Sequence, residues 1–136
     1  MNQMEQEQWM QQLAQSAEAT FWGFLGCKME SMDERGVTIS LEVMPHHLNI
    51  IGIVHGGVLS SLLDNAMGIA VMAARQQEKA VTTNLNVQFV APMKETKLIV
   101  NANIVHQSRK MITTHGTITD VESNLSAVGT GSFRII

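Results

Sequence analysis

Apolar and polar positions alternate along most of the chain, with a period that changes from segment to segment. Near the start, Trp9, Met10 and Leu13 fall at helical spacing inside a glutamine-rich stretch, which predicts an amphipathic helix over residues 3–18. From Cys27 onward the period shortens to two. Val37, Ile39, Leu41 and Val43 alternate with Thr38, Ser40 and Glu42, the pattern of a half-buried strand. Asp33-Glu34-Arg35-Gly36 supplies turn chemistry, so 27–32 and 37–43 are expected to pair as a hairpin, with Pro45 ending the second strand. The run from Gly57 to about Gln76 holds no proline, and its apolar residues are too continuous for a surface helix. It predicts one long, largely buried helix. Val81, Thr83, Leu85, Val87 and Phe89 then alternate with Thr82, Asn84, Asn86 and Gln88, and Leu98, Val100, Ala102 and Ile104 with Ile99, Asn101 and Asn103. Residues 111–121 and 125–135 alternate more weakly, with Gly116, Gly129 and Gly131 as bulge or close-approach positions. Short connections predict that these strands run as an antiparallel meander. A hairpin, one buried helix and a meander make an α+β domain whose sheet curls around the helix.

Composition narrows the function classes. The 136 residues, 45% hydrophobic and 15% charged, suit a single domain over 1–136 with a helical segment at 1–20. The formal charge is −3, and no run of Lys or Arg marks a nucleic-acid footprint. Cys27 is the sole cysteine, which excludes an internal disulfide framework and a cysteine-based zinc cluster. His46, His47, His106 and His115 lack metal-ligand spacing. The start, MNQMEQEQWM, does not read as a secretory signal, and the longest apolar run, Ala66 to Ala74, is far short of the ~20 residues that span a bilayer. The expectation is a cytoplasmic protein without a membrane partner.

The chemistry concentrates in residues 46–68. His55-Gly56-Gly57 stands just before the long helix, where glycines allow a close backbone approach and the N–H groups of the first turn favour an oxygen that carries negative charge. Such a turn suits an oxyanion hole; it also reads as an ordinary tight turn. Asp64 is one of three aspartates and falls among Leu62, Leu63, Ala66 and Met67, with no Lys or Arg within a helical turn. Burying an unpaired carboxylate costs several kcal/mol. Gly57, Ser60, Ser61, Asp64 and Gly68 share roughly one face, either a solvated stripe or a groove made narrow by small side chains. Gly56 and Asp64 are eight positions apart, ~12 Å along a helix axis. One small carbonyl cannot touch both in the same chain, so they serve separate tasks or the site combines two chains of a symmetric dimer.

Asn49-x-x-Gly52-x-x-His55-Gly56-Gly57, then Leu63-Asp64-x-Ala66-x-Gly68, with Phe89-x-x-Pro92 further on, resembles the hotdog-fold acyl-CoA thioesterases of the phenylacetate-degradation type. The resemblance runs from about residue 20 to the end. It implies a curled antiparallel sheet around one long helix, and a homodimer paired further into a dimer of dimers. It implies Asp64 as general base or nucleophile, and the Gly56 N–H as the group that polarises a thioester carbonyl held from the partner chain. It implies Asn49 as an aid to carbonyl or water positioning. Thr82 falls where relatives place a hydroxyl that holds the attacking water, here Thr for Ser. His55 and Gly57 are implied as structural parts of the loop. No metal and no separate cofactor are expected, because CoA belongs to the substrate.

Two other readings compete with acyl-CoA hydrolysis. A hotdog dimer can hold an acyl thioester or lipid without turning it over. A dehydratase on the same fold usually needs a catalytic His in a proline-rich approach to the helix, and that approach has no such prolines here. The set Asn49, Gly56, Asp64 and Thr82 favours the hydrolase. The acyl pocket is expected to be lined by Met, Leu and Val from two chains, and ten methionines make it adaptable. With no P-loop motif, CoA phosphates must find cations at the rim, and Lys94, Arg109 and Lys110 are the candidates.

Overall fold

The computed structural model describes all residues, Met1 to Ile136. The chain opens with α1 (Gln3–Ala17), capped by the Asn2 side chain on the Glu5 N–H, and the five-residue α2 (Phe21–Leu25). A hairpin follows, β1 (Lys28–Asp33) with β2 (Gly36–Glu42), then a short 3-10 turn at Pro45–His47. The long helix α3 (Gly56–Ala74) comes next, and then β3 (Ala80–Phe89), β4 (Lys97–Gln107), β5 (Met111–Thr119) and β6 (Leu125–Ile135).

All six strands form one antiparallel sheet in the order β1-β2-β4-β5-β6-β3. This corrects the expected meander. Of the four strands after α3, only β4, β5 and β6 follow one another as neighbours. β3 crosses over to pair with β6, and β2 takes the place beside β4 that the meander gave to β3. The crossover makes β3 an edge strand, with one row of backbone groups free of sheet partners.

The sheet curls round α3, whose Leu59, Leu62, Leu63, Ala66, Met67, Ile69, Ala70 and Val71 are buried. They pack on Ile39, Leu41, Leu98, Val100, Ile112 and Ile118 from the inner sheet face. Each of the larger side chains, Val, Leu, Ile or Met, contributes roughly 1.5–3 kcal/mol when withdrawn from water. The helix lies close because the sheet beneath it is thinned. A Cβ on Gly116 would stand 2.9 Å from Leu63, one on Gly129 3.1 Å from Leu63, and one on Gly131 3.2 Å from Met67. The three strand glycines are therefore close-approach positions. The bulges fall elsewhere, at Met29/Ser31, Thr82/Asn84, Ile104/His106 and Ile118/Thr119. By length and apolar composition α3 is the one helix able to cross a membrane, which the nine-residue apolar run had not suggested; here it is the core helix of the curled sheet.

Candidate active site

The site lies along the seam between α3 and β3, and its upper end is the α3 N-terminus. The approach loop doubles back: Leu48 bridges to Val54, and the Gly52 N–H closes a turn onto the Asn49 carbonyl at 3.0 Å. Gly52 has φ +84°, left-handed backbone that glycine adopts without a Cβ penalty. Asn49 Oδ1 accepts from the Ile51 and Ile53 N–H groups at 3.0 and 3.2 Å. That oxygen is spent on the loop, so a substrate contact from Asn49 falls to its Nδ2.

His55 is the N-cap of α3, and its Nδ1 accepts from the Gly57 N–H at 2.7 Å. The His55 carbonyl takes the N–H groups of Val58 and Leu59. The N–H of Gly56 has no hydrogen-bond partner in the chain. Capping thus satisfies the donors around Gly56 and leaves that one N–H at the positive end of the helix dipole. Sterics account for both glycines. A Cβ at Gly57 would meet the His55 ring at 2.9 Å, and one at Gly56 would meet the Phe89 ring at 3.3 Å. Phe89, at the end of β3, is the neighbour that the Phe-x-x-Pro spacing did not reveal.

Two turns down α3, Asp64 is half-buried, and the Thr82 hydroxyl of β3 donates to its Oδ1 at 2.7 Å. No cation pairs with this carboxylate, and both residues line a cavity of about 410 Å³ against α3. Asp64 is placed to take a proton from a water, or to attack a carbonyl, in a cleft of mixed polarity. Cys27, the only thiol, is no rival nucleophile: burial pushes it up to about 11, so it stays protonated.

The three expected CoA-binding cations do not come together. Lys94 follows Met93, whose carbonyl accepts from the Val54 N–H beside the start of α3. Arg109 and Lys110 lie at the opposite end, in the β4–β5 turn. There Arg75, just past the end of α3, donates to Gln107 Oε1, the Ser108 carbonyl and the Arg109 carbonyl at 3.3, 3.1 and 2.8 Å. Nineteen helical residues separate these ends, ~28 Å. The fold also gathers cations that the sequence scatters. The Lys110 carbonyl accepts from Ile135, Lys79 from Ile136, and Met111 pairs with Arg134. Arg75, Lys79, Arg109, Lys110 and Arg134, five of nine Lys and Arg, therefore share one end. His47 is buried: its Nδ1 accepts from the Met44 N–H and its Nε2 donates to the Leu25 carbonyl, a structural role.

Comparison with known proteins gives this geometry a family. The model of the thioesterase superfamily matches residues 51–127, which hold the α3 N-terminus, Asp64 and Thr82. A protein of Halobacterium salinarum that carries an esterase name is 31% identical over 82% of this chain and 82% of its own. Human acyl-coenzyme A thioesterase 13 is 25% identical over 62% of this chain and 61% of its own. The structure of the Escherichia coli PaaI protein, from the phenylacetic acid degradation operon, superposes with a TM-score of 0.84 at 26% identity, covering 94% of this chain and 92% of that one. The chain belongs to the thioesterase superfamily and has the hotdog fold.

Proposed function

We propose that this chain hydrolyses an acyl- or aryl-acyl-CoA thioester to the free acid and CoA, at a site shared by two chains of a homodimer. The observation that carries the reading is the pairing of an unneutralised carboxylate with an unoccupied amide. Asp64 has one protein hydrogen bond, from Thr82, and the Gly56 N–H has none. As a base, Asp64 takes a proton from water while the hydroxyl oxygen adds to the thioester carbon. As a nucleophile, it forms an acyl anhydride that water then opens. In either route the carbonyl oxygen gains negative charge against the Gly56 N–H, the C–S bond breaks, and the CoA sulfur leaves with a proton. Asn49 Nδ2 is a second donor for the carbonyl or the water. No metal or separate cofactor enters the scheme.

The ~12 Å between Gly56 and Asp64 on one helix favours a carbonyl held by the amide of one chain and attacked from the other. The free edge of β3 supports such a dimer. Leu85 and Phe89 stand exposed on its helix-facing side, Val81 stands exposed on the other side beyond the Thr82/Asn84 register shift, and Ile50 fully and Ile51 largely project into solvent from the loop before α3. Exposed apolar side chains beside an unpaired strand edge suit a second copy of the same edge. Two such dimers would then associate as a dimer of dimers. The acyl-CoA assignment draws on human acyl-coenzyme A thioesterase 13, and the aryl-acetyl option on the likeness to PaaI.

The test is a hydrolysis screen over acyl-CoAs of increasing chain length and over phenylacetyl-CoA, with Asp64→Asn alongside. At least one thioester should turn over, and Asp64→Asn should lower its rate by ~10²-fold or more, since Asn keeps hydrogen bonds but is neither base nor nucleophile. Turnover of Asp64→Asn within threefold of wild type would remove Asp64 from the chemistry. Binding without turnover would favour a non-catalytic module.

A further inference from the structure

A small hairpin over residues 47–55 carries Asn49 and leads directly into Gly56, the two donors assigned above to the thioester carbonyl. Its rungs are few. The Asn49 N–H donates to the Ile53 carbonyl at 2.7 Å, Leu48 bridges Val54, and the His55 N–H donates to the His47 carbonyl at 2.9 Å. His47 is the base of this hairpin. It is only 2% exposed, and its ring is bonded on both sides. Nδ1 accepts from the Met44 N–H at 2.9 Å, and Nε2 donates to the Leu25 carbonyl at 2.7 Å. We propose that His47 is the positioning residue of the hairpin. By fastening the base to α2 it sets the direction of the Gly56 N–H and the place of Asn49, and so governs kcat without touching the substrate.

Three observations carry the proposal, which rests on the thioester-hydrolase reading above. First, the ring ties the hairpin to the core. The Met44 carbonyl accepts from the His47 N–H at 2.9 Å, so with the Nδ1 bond the turn is closed twice. The Leu25 carbonyl is one of the acceptors left over at the end of α2, and buried Trp22 and Leu25 seat that helix. The base is thereby fixed to a buried element. Second, the bonds lead in one line to the amide. The His47 carbonyl holds the His55 N–H, and the His55 ring holds the Gly57 N–H at 2.7 Å. The peptide plane that carries the Gly56 N–H lies between these two bonds. Its direction is set from both sides while the N–H stays free. A misplacement of about 1 Å at a group that meets the reacting carbonyl can cost ~10²-fold in rate. Third, the pair of contacts suits this side chain. Neutral imidazole presents a donor and an acceptor on two sides of one rigid ring. An apolar replacement would leave both the Met44 N–H and the Leu25 carbonyl without that partner.

The experiment compares three variants. His47→Leu has neither polar contact. His47→Asn has a side-chain oxygen that can accept from Met44, and His47→Gln an amide nitrogen that can reach Leu25. Ile118→Val, a truncation of a fully buried β5 side chain, controls for lost stability. On the best acyl-CoA substrate, His47→Leu should lower kcat at least tenfold and leave KM within about threefold. Asn and Gln should each lie at least threefold below wild type and at least threefold above His47→Leu. Ile118→Val should stay within about twofold of wild type. If His47→Leu does not fold, the other two decide, and wild-type kcat in both overturns the proposal. An unchanged kcat, a loss carried by KM alone, or an equal loss in Leu, Asn and Gln also overturns it. A second readout needs no turnover. By amide hydrogen exchange, the Asn49 and His55 N–H groups of the variants should exchange at least tenfold faster than the fall in global stability accounts for. Exchange that follows global stability throughout the chain overturns the proposal. If no thioester is hydrolysed while these two amides alone lose protection, His47 still holds the hairpin and the hydrolase reading falls.

Discussion

The Thr82 hydroxyl donates a 2.7 Å hydrogen bond to Asp64 Oδ1, and that contact joins the edge strand to the core helix at the one carboxylate facing the cavity. Two residues eighteen positions apart in sequence become one unit. The hydroxyl donates its one hydrogen bond to Asp64 and keeps lone pairs that can accept a hydrogen bond from water. It therefore fixes the carboxylate and can hold the water that the carboxylate activates.

Thr82→Ser keeps this donor and should retain activity within about threefold. Thr82→Val has nearly the same shape and no hydroxyl, and should lower kcat by roughly 10-fold or more with a smaller change in KM. Parallel stability measurements separate the effects, since Thr82 lies on an exposed strand and its loss should leave the unfolding midpoint nearly unchanged. Full activity in Thr82→Val would remove the hydroxyl from the reaction.

The free Gly56 amide allows a direct test of the shared site. Proline is tolerated at the first position of a helix, and His55 already has φ −63° and ψ 135°, the extended conformation that a residue before proline prefers. Gly56→Pro removes the N–H and adds a Cβ that displaces the exposed Phe89 ring by a few tenths of an ångström, so Gly56→Ala, which adds the same Cβ and keeps the N–H, is its control. Alone, Gly56→Pro should lose ~10²-fold or more in kcat, the usual cost of deleting an oxyanion donor. Mixed and exchanged with Asp64→Asn, it should recover about a quarter of wild-type activity. Half of the dimers are then mixed, and each mixed dimer has one intact composite site. If exchange is verified and the mixture stays inactive, each site lies within one chain.

His47 makes stability depend on pH. Burial holds its pKa below the usual histidine value, outweighing the hydrogen bond to the Leu25 carbonyl, and the neighbouring His46 adds to the depression. The unfolded chain therefore binds a proton at a higher pH than the folded one. Stability from neutral His47 is complete above pH ~6.5 and is lost as the pH falls from there through the lowered folded value. Thermal melts should show a Tm steady from pH 8 to about 7 and falling as the pH drops below about 6.5. His47→Gln should have a lower Tm at neutral pH and a flatter slope over that acid interval. An unchanged slope would assign it to other groups.

Periodicity and spacing reveal faces and local turns, and those parts of the molecule were legible. The alternation in 37–43 marks the inner face of β2, the continuous apolar run marks the core helix, and Gly116, Gly129 and Gly131 stand where Leu63 and Met67 press on the sheet. Asp64 was conspicuous because a lone carboxylate among buried residues needs a reason. What stayed hidden depends on which strands are neighbours. A period of two gives the same pattern whether β3 pairs with β4 or with β6, so the crossover, the free β3 edge and the Phe89 ring on Gly56 were not readable. The five-residue α2 is too short to show a helical period. The five cations from positions 75 to 134 meet only because the β4–β5 turn and the C-terminal strand both end at the last turn of α3.

That basic end yields the last prediction. The Arg109–Lys110 turn is held by the Arg75 guanidinium, with Lys79 and Arg134 close by and Glu78 as the acid paired to Arg75. Arg75 and Lys110 hold the Glu78 carboxyl below its ordinary range, and the Arg75 hydrogen bond is the larger cause. If this end binds the CoA phosphates, Arg109→Ala with Lys110→Ala should raise KM severalfold and leave kcat nearly unchanged, because contacts far from the reacting carbon hold ground and transition states alike. The rise should shrink as salt increases, since exposed charges are screened over ~8–10 Å at physiological ionic strength. Arg75→Ala should act in the same direction through the turn it braces. Lys94→Ala reports on the other end of α3, ~28 Å away, and in one chain the two sites cannot serve the same phosphate. A KM effect confined to Lys94 would move the nucleotide to the α3 N-terminus. An unchanged KM at low salt in the double variant would release the turn from substrate binding.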